Sequence, residues 1–382
     1  MKTKWIPPLV LFAIMALQFI NVKPYYNWDM IAYVAVAYSY FEDDIVVVHQ
    51  KTYSAIDSQV SDKTFDWLTI ADGQTNKSLY RQGVFSNPEY LRQAMPFYSV
   101  KPLYPLLLAG FIMMDINPVF ASTLISKAFY AMTMLLCFVW LLRYLGGVES
   151  AVTVALLFSV PLVSAMARFS TPDAMSTFFV LLCLYISLEL RRPRLALFCL
   201  ALVVAVRPDV MLFAVLLALF MSIAQRTMGL RLLFLASISV VMYLLVTRLN
   251  DGYSWNVLFA NTYRGGLLEP ASYESELSLI NYLSIYWGFF KNTLFNTQFS
   301  IYLLLISIAT AFSIKFSRYE EAAVSGACLL YMGGHWLVHP MDKERTLLFT
   351  FILAIILIIR LLASVATLPA PSLGSKSPDD KH

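Results

Sequence analysis

The feature that most constrains this chain is a succession of apolar stretches of about 17 to 25 residues, the length an α-helix needs to cross the hydrocarbon core of a bilayer. They fall near residues 5–22, 117–142, 149–167, 173–190, 229–248, 298–316, 320–338 and 345–363. Lipid is the solvent for runs of this kind, and a water-soluble globular fold is excluded. The composition agrees: of 382 residues 59% are hydrophobic and 14% are charged, against roughly a quarter charged in soluble domains. The fold class expected is therefore an all-α polytopic membrane protein.

Residues 194–225 form a longer apolar run, too long for one span and interrupted by Arg207-Pro208-Asp209. Proline ends helices and buried charge is costly, so two spans are expected to meet at that tripeptide. Residues 101–115 are apolar but short, between Lys101-Pro102 and Asp115. If they are a half-helix that does not cross, and the amino terminus is inside, Arg143, Arg191-Arg192-Arg194, Arg226 with Arg231, and Lys315 with Arg318 all lie on the inner side. That arrangement satisfies the positive-inside rule, whereas a crossing there reverses it. The expectation is ten spans with both termini inside. Lys2 and Lys4 before the apolar stretch to Val22 read as a retained anchor, and 364–382, rich in Pro, Ser and charge, as a disordered cytoplasmic tail.

Two polar segments, 24–100 and 249–296, then lie outside and hold 13 of the 24 acidic residues. Stretches such as Met30–Phe41, with interspersed tyrosines, are expected as outer amphipathic helices lying among headgroups. The domain division expected is a transmembrane module over 1–248, a second outer loop over 249–296 and C-terminal spans over 297–363. The net charge is +4, with no basic tract of the kind nucleic acid demands. The four cysteines sit in apolar runs without ligand spacing, and no HExxH, CxxC or glycine-rich phosphate loop occurs.

Charges at membrane depth are expensive, which directs attention to a few outer positions. Asp29, just past the first span, is a candidate base, and equally a helix N-cap. Arg168 and Asp173, in the turn Arg168-Phe169-Ser170-Thr171-Pro172-Asp173, are a candidate acid/base and anion-contact pair, or a solvated turn that caps the next helix. His339 to Arg345 form an outer loop in which Lys343 and Arg345 are suited to clamp a phosphate, unless the loop is only a solvated face. Lys127 lies about 24 Å above the inner interface at 1.5 Å per residue, near the outer surface, either for a lipid phosphate or by snorkelling. Glu42-Asp43-Asp44 offers oxygens for a divalent cation, though a solvated acidic run explains it as well.

An acidic residue after the first helix, a large outer first loop, Lys-Pro-Leu-Tyr-Pro-Leu-Leu-Leu at 101–108, Arg-Tyr-Leu-Gly-Gly at 143–147 and Arg-Phe-Ser-Thr-Pro-Asp-Ala at 168–174 resemble the GT-C superfamily of membrane glycosyltransferases. The pattern, over residues 1 to about 230, is similar to the protein O-mannosyltransferase and lipid A aminoarabinose transferase branch. The stretch Asp342-Lys343-Glu344-Arg345-Thr346-Leu347-Leu348-Phe349 resembles the His-Lys-Glu-x-Arg-Phe element of lipid-phosphate-mannose dependent mannosyltransferases, with Asp342 in place of the histidine.

The resemblance implies a GT-C-like bundle and an inverting enzyme that moves sugar from a polyprenyl-phosphate donor to an acceptor hydroxyl on a glycan, lipid or protein. It implies a site on the periplasmic or lumenal face, here of a bacterial inner membrane. Asp29 then matches the first-loop catalytic carboxylate and Asp173 a second acidic residue. Arg345, Lys343, Lys127 and Arg168, with Glu344 and His339 beside them, become substrate-binding candidates. No metal and no organic cofactor are expected, apart from the cation that Glu42, Asp43 and Asp44 leave open. A transporter or flippase, and a polysaccharide polymerase or ligase, are the competing classes. Membrane lipids are partners in every case.

Overall fold

The computed structural model describes residues 6–70, 75–225, 229–274, 278–296, 299–338 and 344–366. Regular structure among them is helical. One isolated parallel bridge, Tyr25 to Phe169, is the β-type pairing they contain. Helix α1 (Ile6–Asn21) leads into a segment of shorter helices: α2 (Asp29–Tyr38), α3 (Ile45–Asp57), α4 (Asp62–Thr69), α5 (Asn76–Ser86), α6 (Pro88–Ala94) and the single turn α7 (Pro96–Ser99). Local chemistry sets several of these starts. Asp44 accepts from the Val46 amide, and Asn87 accepts from Glu89 with Pro88 in the first helical position, so free N–H groups are met by side chains or removed by proline.

Helix α2 departs from the amphipathic surface helix expected over Met30–Phe41. Every residue from Met30 to Ala37 is buried, because α2 is apolar all round and α3, α7, α8 (Leu103–Ile112) and α9 (Pro118–Leu141) enclose it. A helix with no polar face gains more from protein on all sides than from a headgroup layer. Helix α8, the expected half-helix, has ten residues, about 15 Å of rise, which is half a hydrocarbon core.

The remaining helices are α10 (Gly147–Ser159), α11 (Pro161–Ser164), α12 (Asp173–Leu188), α13 (Pro193–Val203), α14 (Val210–Ala224), α15 (Gly229–Leu249), α16 (Trp255–Arg264), α17 (Leu279–Asn296), α18 (Phe299–Lys315), α19 (Tyr319–Val338) and α20 (Leu348–Ala366). Among the described residues three segments, α9, α15 and Arg345–Ser364, are long and apolar enough to cross a membrane unaided. The stretch expected as a span over 149–167 is broken: α10 and the segment Pro161–Ala167 meet at 80°, where Pro161 ends the hydrogen-bond ladder. Many large apolar side chains face outward along these helices, among them Leu9, Phe12, Leu156, Leu230, Phe234 and Leu304. The protein is a helical membrane protein. Helix α20 runs three residues past the expected end at 363, and residues 367–382 lie outside the described residues.

Helices α13 and α14 form a hairpin whose apex is the non-helical segment 204–209. At its base Arg191, before α13, and Gln225, after α14, both bond Glu320 at the start of α19. Beside that base, Arg360 of α20 donates to Glu189 (2.8 Å) and reaches Glu321 of α19 (3.1 Å), while Trp140 and Tyr144 also donate to Glu189. These buried charges tie the ends of α9, α12, α19 and α20 together. They hold in register three helices whose opposite ends carry site residues.

Candidate functional site

Asp29 and Asp173 are the first residues of α2 and α12, and the N-cap positions before them are held by Trp28 and Pro172. The N-cap alternative for Asp29 is thus set aside, although the positive end of α2 still favours its negative charge. The Asp29 carboxylate turns inward. Its Oδ1 accepts from the Tyr98 hydroxyl at 3.0 Å, and its Oδ2 from Arg345 Nη2 at 2.7 Å and Asn27 Nδ2 at 3.2 Å. Asp173 accepts from Arg207 Nη1 at 2.7 Å and from the Thr171 hydroxyl at 2.6 Å, with Arg345 Nε 3.5 Å from its Oδ2. Arg345 therefore bridges the two carboxylates.

Arg207, at the hairpin apex, bridges in the same way. It grips Asp209 with Nε and Nη2, both at 3.0 Å, while Nη1 holds Asp173. Asp209 also accepts from Tyr331 at 2.8 Å, and His335 Nε2 lies 3.5 Å away. The Arg207 and Asp173 side chains are 11% and 7% exposed. Charges this deep persist because each is paired and hydrogen-bonded.

Lys101, at the turn before α8, differs from the two arginines. Its ammonium donates to the Tyr33 hydroxyl at 3.0 Å and lies 5.5 Å from the Tyr33 and Tyr98 ring centres. No carboxylate among the described residues comes within ion-pairing distance of it. Burial, and next the Arg207 charge, pull its pKa down to about 8. Burial and the nearby Asp29 charge push the Tyr33 and Tyr98 phenols well above their usual value. Both phenols stay protonated, Tyr98 donating to Asp29 and Tyr33 accepting from Lys101, a buried cation with charge to spare.

These groups line one cavity of about 180 Å³, walled by Asp29, Tyr33, Tyr98, Lys101, Asp173, Arg207 and Arg345, with Leu258, Asn261 and Thr262 of α16 closing it. It is smaller than the ~300–1,000 Å³ of drug-sized pockets, so it suits a compact polar headgroup. A larger hollow of about 450 Å³ lies between α3 and the α8–α9 turn. Its Lys51 is already paired with Glu42, and it gathers no comparable constellation. Chemically the cavity offers carboxylates to accept a proton and clustered cations to neutralise an anion, within hydrogen-bonding reach of one another.

Of the residues singled out from sequence, Asp29, Asp173 and Arg345 converge here. Arg168 does not line the cavity: it is exposed, its Nε donates to the Lys23 carbonyl at 3.2 Å, and its carbonyl accepts from the Tyr25 amide, pinning the segment after α1 to the turn before α12. Lys127 sits half-buried on α9 and is absent from the lining. His339, Lys343 and the Glu344 side chain lie outside the described residues. Glu42 pairs with Lys51 and Asp44 caps α3, so oxygens of the acidic run are engaged in local structure. Among the described residues no group of three potential ligands is gathered for a metal ion.

Sequence reasoning missed Arg207, Asp209 and Lys101 as site residues. The signal was present: a charged pair inside a 32-residue apolar run marks function as readily as it marks a helix break. The tyrosines carried no such signal, since Tyr98 comes to donate to Asp29, and Tyr33 to accept from Lys101, only because α2 and α7 face each other. No family model matches this chain, and neither the curated proteins nor the solved structures compared with it include a match.

Proposed function

We propose that the protein is an inverting membrane glycosyltransferase of the GT-C type, moving a sugar from a polyprenyl-phosphate donor to an acceptor hydroxyl on the outer, periplasmic side of the membrane, with ten crossings of the bilayer. One observation carries the reading. Asp29, Asp173 and Arg345, picked out by the resemblance from three distant parts of the chain, line a single cavity, where Lys101 and Arg207 add two more cations.

In this mechanism the acceptor oxygen attacks the sugar's anomeric carbon from the face opposite the phosphate. The new carbon–oxygen bond forms as the carbon–oxygen bond to the phosphate breaks, and the acceptor proton passes to Asp29. The polyprenyl phosphate leaves with the bonding pair. Its developing charge is met by Lys101 and Arg345, which are held in place before reaction and gain strength from the low-dielectric surroundings. Asp173 orients Arg345 and Arg207. A cavity sized for a headgroup fits this division, since the polyprenyl chain stays in lipid and only phosphate and sugar enter.

A transporter requires a path that opens on both sides. The Glu189–Arg360–Glu321 ties at the far ends of the same helices favour the enzyme. The test is reconstitution of the purified protein with polyprenyl-phosphate sugars and mass spectrometry of any lipid-linked sugar that co-purifies. Transfer that depends on Asp29 supports the reading, and solute flux without sugar transfer overturns it.

A further inference from the structure

Helix α17 is the longest element of the second outer segment, and its 18 residues would rise about 27 Å, close to a membrane crossing. Its neighbours show that it does not cross. Tyr286 donates to the Leu337 carbonyl, and Trp336 packs on Tyr286 and Phe290 with ring centres 5.8 and 6.0 Å apart. The middle of α17 therefore lies at the end of α19 nearest the cavity, the end that carries Tyr331 and His335. Asn296 precedes the start of α18 by only two intervening residues, and α18 and α19 are antiparallel neighbours joined by a tight turn at 316–318. Both the middle and the end of α17 thus lie at one level, and the helix runs along the membrane face.

At about 100° per residue its side chains fall into three sectors. Tyr282, Ile285, Tyr286 and Phe289 face the protein. Asn281, Ser284 and Asn292 form an exposed polar sector, which Phe295 interrupts in the last turn. Leu279, Ile280, Leu283 and Trp287 form an exposed apolar one, 74%, 77%, 61% and 59% exposed. Lys291 marks the border between the last two, its ammonium 5.2 Å from the Trp287 ring. A helix with separate protein, water and apolar sectors at the level where spans end has the form of an interfacial helix.

We propose that α17 is seated in the outer leaflet, with Leu279, Ile280, Leu283 and Trp287 among the upper acyl chains, and that it suspends the cavity cover from the bilayer. The second half of the proposal rests on α16. Its Trp255 and Phe259 pack on Tyr282 of α17, with ring centres 5.9 and 5.0 Å apart, while Leu258, Asn261 and Thr262 close the cavity. Gly265, at φ +82°, ends α16 where a left-handed residue is required. The partner is a lipid surface, whatever reaction the cavity performs.

The experiment places nitroxide labels at Leu283→Cys, Ile280→Cys and Ser284→Cys in a Cys199→Ser background, in the full protein reconstituted in vesicles of phosphatidylethanolamine and phosphatidylglycerol. Relaxation by oxygen, which partitions into lipid, is compared with relaxation by a water-soluble nickel chelate. At 280 and 283 oxygen is expected to dominate several-fold, and at 284 the chelate. Chelate-dominated relaxation at all three positions would place the face in water and overturn the proposal. Protection from both reagents at 280 and 283 would overturn it too, because a second protein surface would then cover the face. Two positions on the apolar sector keep the outcome readable if one variant fails to fold.

Discussion

Arg345 Nη2 lies 2.7 Å from Asp29 Oδ2 although 316 residues of chain separate them. The bond joins the turn before the last helix to the first turn of α2, and through Arg345 Nε it extends towards Asp173 at 3.5 Å. Arg345 Nε is buried and makes no hydrogen bond among the described residues, with Asp173 as the charge it faces. One cation thereby sets the spacing of both carboxylates.

Replacing Asp29 by Asn keeps the size and one acceptor of the side chain but removes the base. Transfer from a polyprenyl-phosphate sugar is expected to fall by about 10² to 10⁴, the usual worth of general-base catalysis. The variant should still insert and elute as a folded protein. A radiolabelled transfer assay in proteoliposomes measures this, and turnover near that of the parent would remove Asp29 from the chemistry.

Lys101 gives the reaction a pH limb. Its pKa in the folded protein is about 8, below the ordinary 10.5, so the ammonium is charged below pH 8 and neutral above it. If it meets the donor phosphate, kcat/KM should decline as pH rises through about 8, because that ratio reports the ionisation of the free enzyme. Arginine stays charged throughout this range, so Lys101→Arg should abolish the alkaline decline while retaining part of the activity. An unchanged profile in that variant would assign the limb to another group.

Arg207→Leu should destabilise the fold. It leaves Asp173 and Asp209 beside each other without their shared partner, and breaking a buried pair costs about 3–5 kcal/mol. Thermal unfolding in detergent, followed with a thiol-reactive dye on the buried cysteines Cys137, Cys183 and Cys328, is expected to show a markedly lower midpoint. Arg207→Lys keeps the charge but not the two-pronged grip on Asp209, and should fall between the two.

The Glu189–Arg360–Glu321 network offers a contrasting case. Arg360→Leu leaves Glu189 and Glu321 buried without their common cation and should lower the unfolding midpoint strongly. The triple change Arg360→Leu, Glu189→Leu, Glu321→Leu should recover much of the loss, since replacing a whole buried triad with apolar side chains is often neutral or stabilising. If the triple variant is no better than the single one, the network does more than balance its own charge.

Orientation is open to direct labelling. Lys63 in α4 and Arg194 in α13 are both exposed and lie on opposite faces of the proposed topology. Cysteine at 63 should react with an impermeant maleimide added outside intact cells, and cysteine at 194 only after the membrane is opened. The reverse pattern would invert the protein.

The one-dimensional pattern of apolar runs and charges determined that the chain is helical and lives in lipid. Burial of long apolar segments is a local requirement that any window of the sequence displays. The same pattern exposed Asp29 and Asp173, because carboxylates beside spans are costly enough to stand out without a structure. It could not tell a helix that lies on the membrane from one enclosed by protein: α2 and α17 differ in what packs on them, and only the fold supplies that. It also treated Arg207-Pro208-Asp209 as punctuation, whereas the α13–α14 hairpin carries those charges to Asp173. Which cation meets which carboxylate depends on contacts across tens to hundreds of residues, made by helix packing that no local window contains. The sequence by itself therefore determined the solvent and part of the candidate set of side chains, and the tertiary structure added the rest and decided which of them share a cavity.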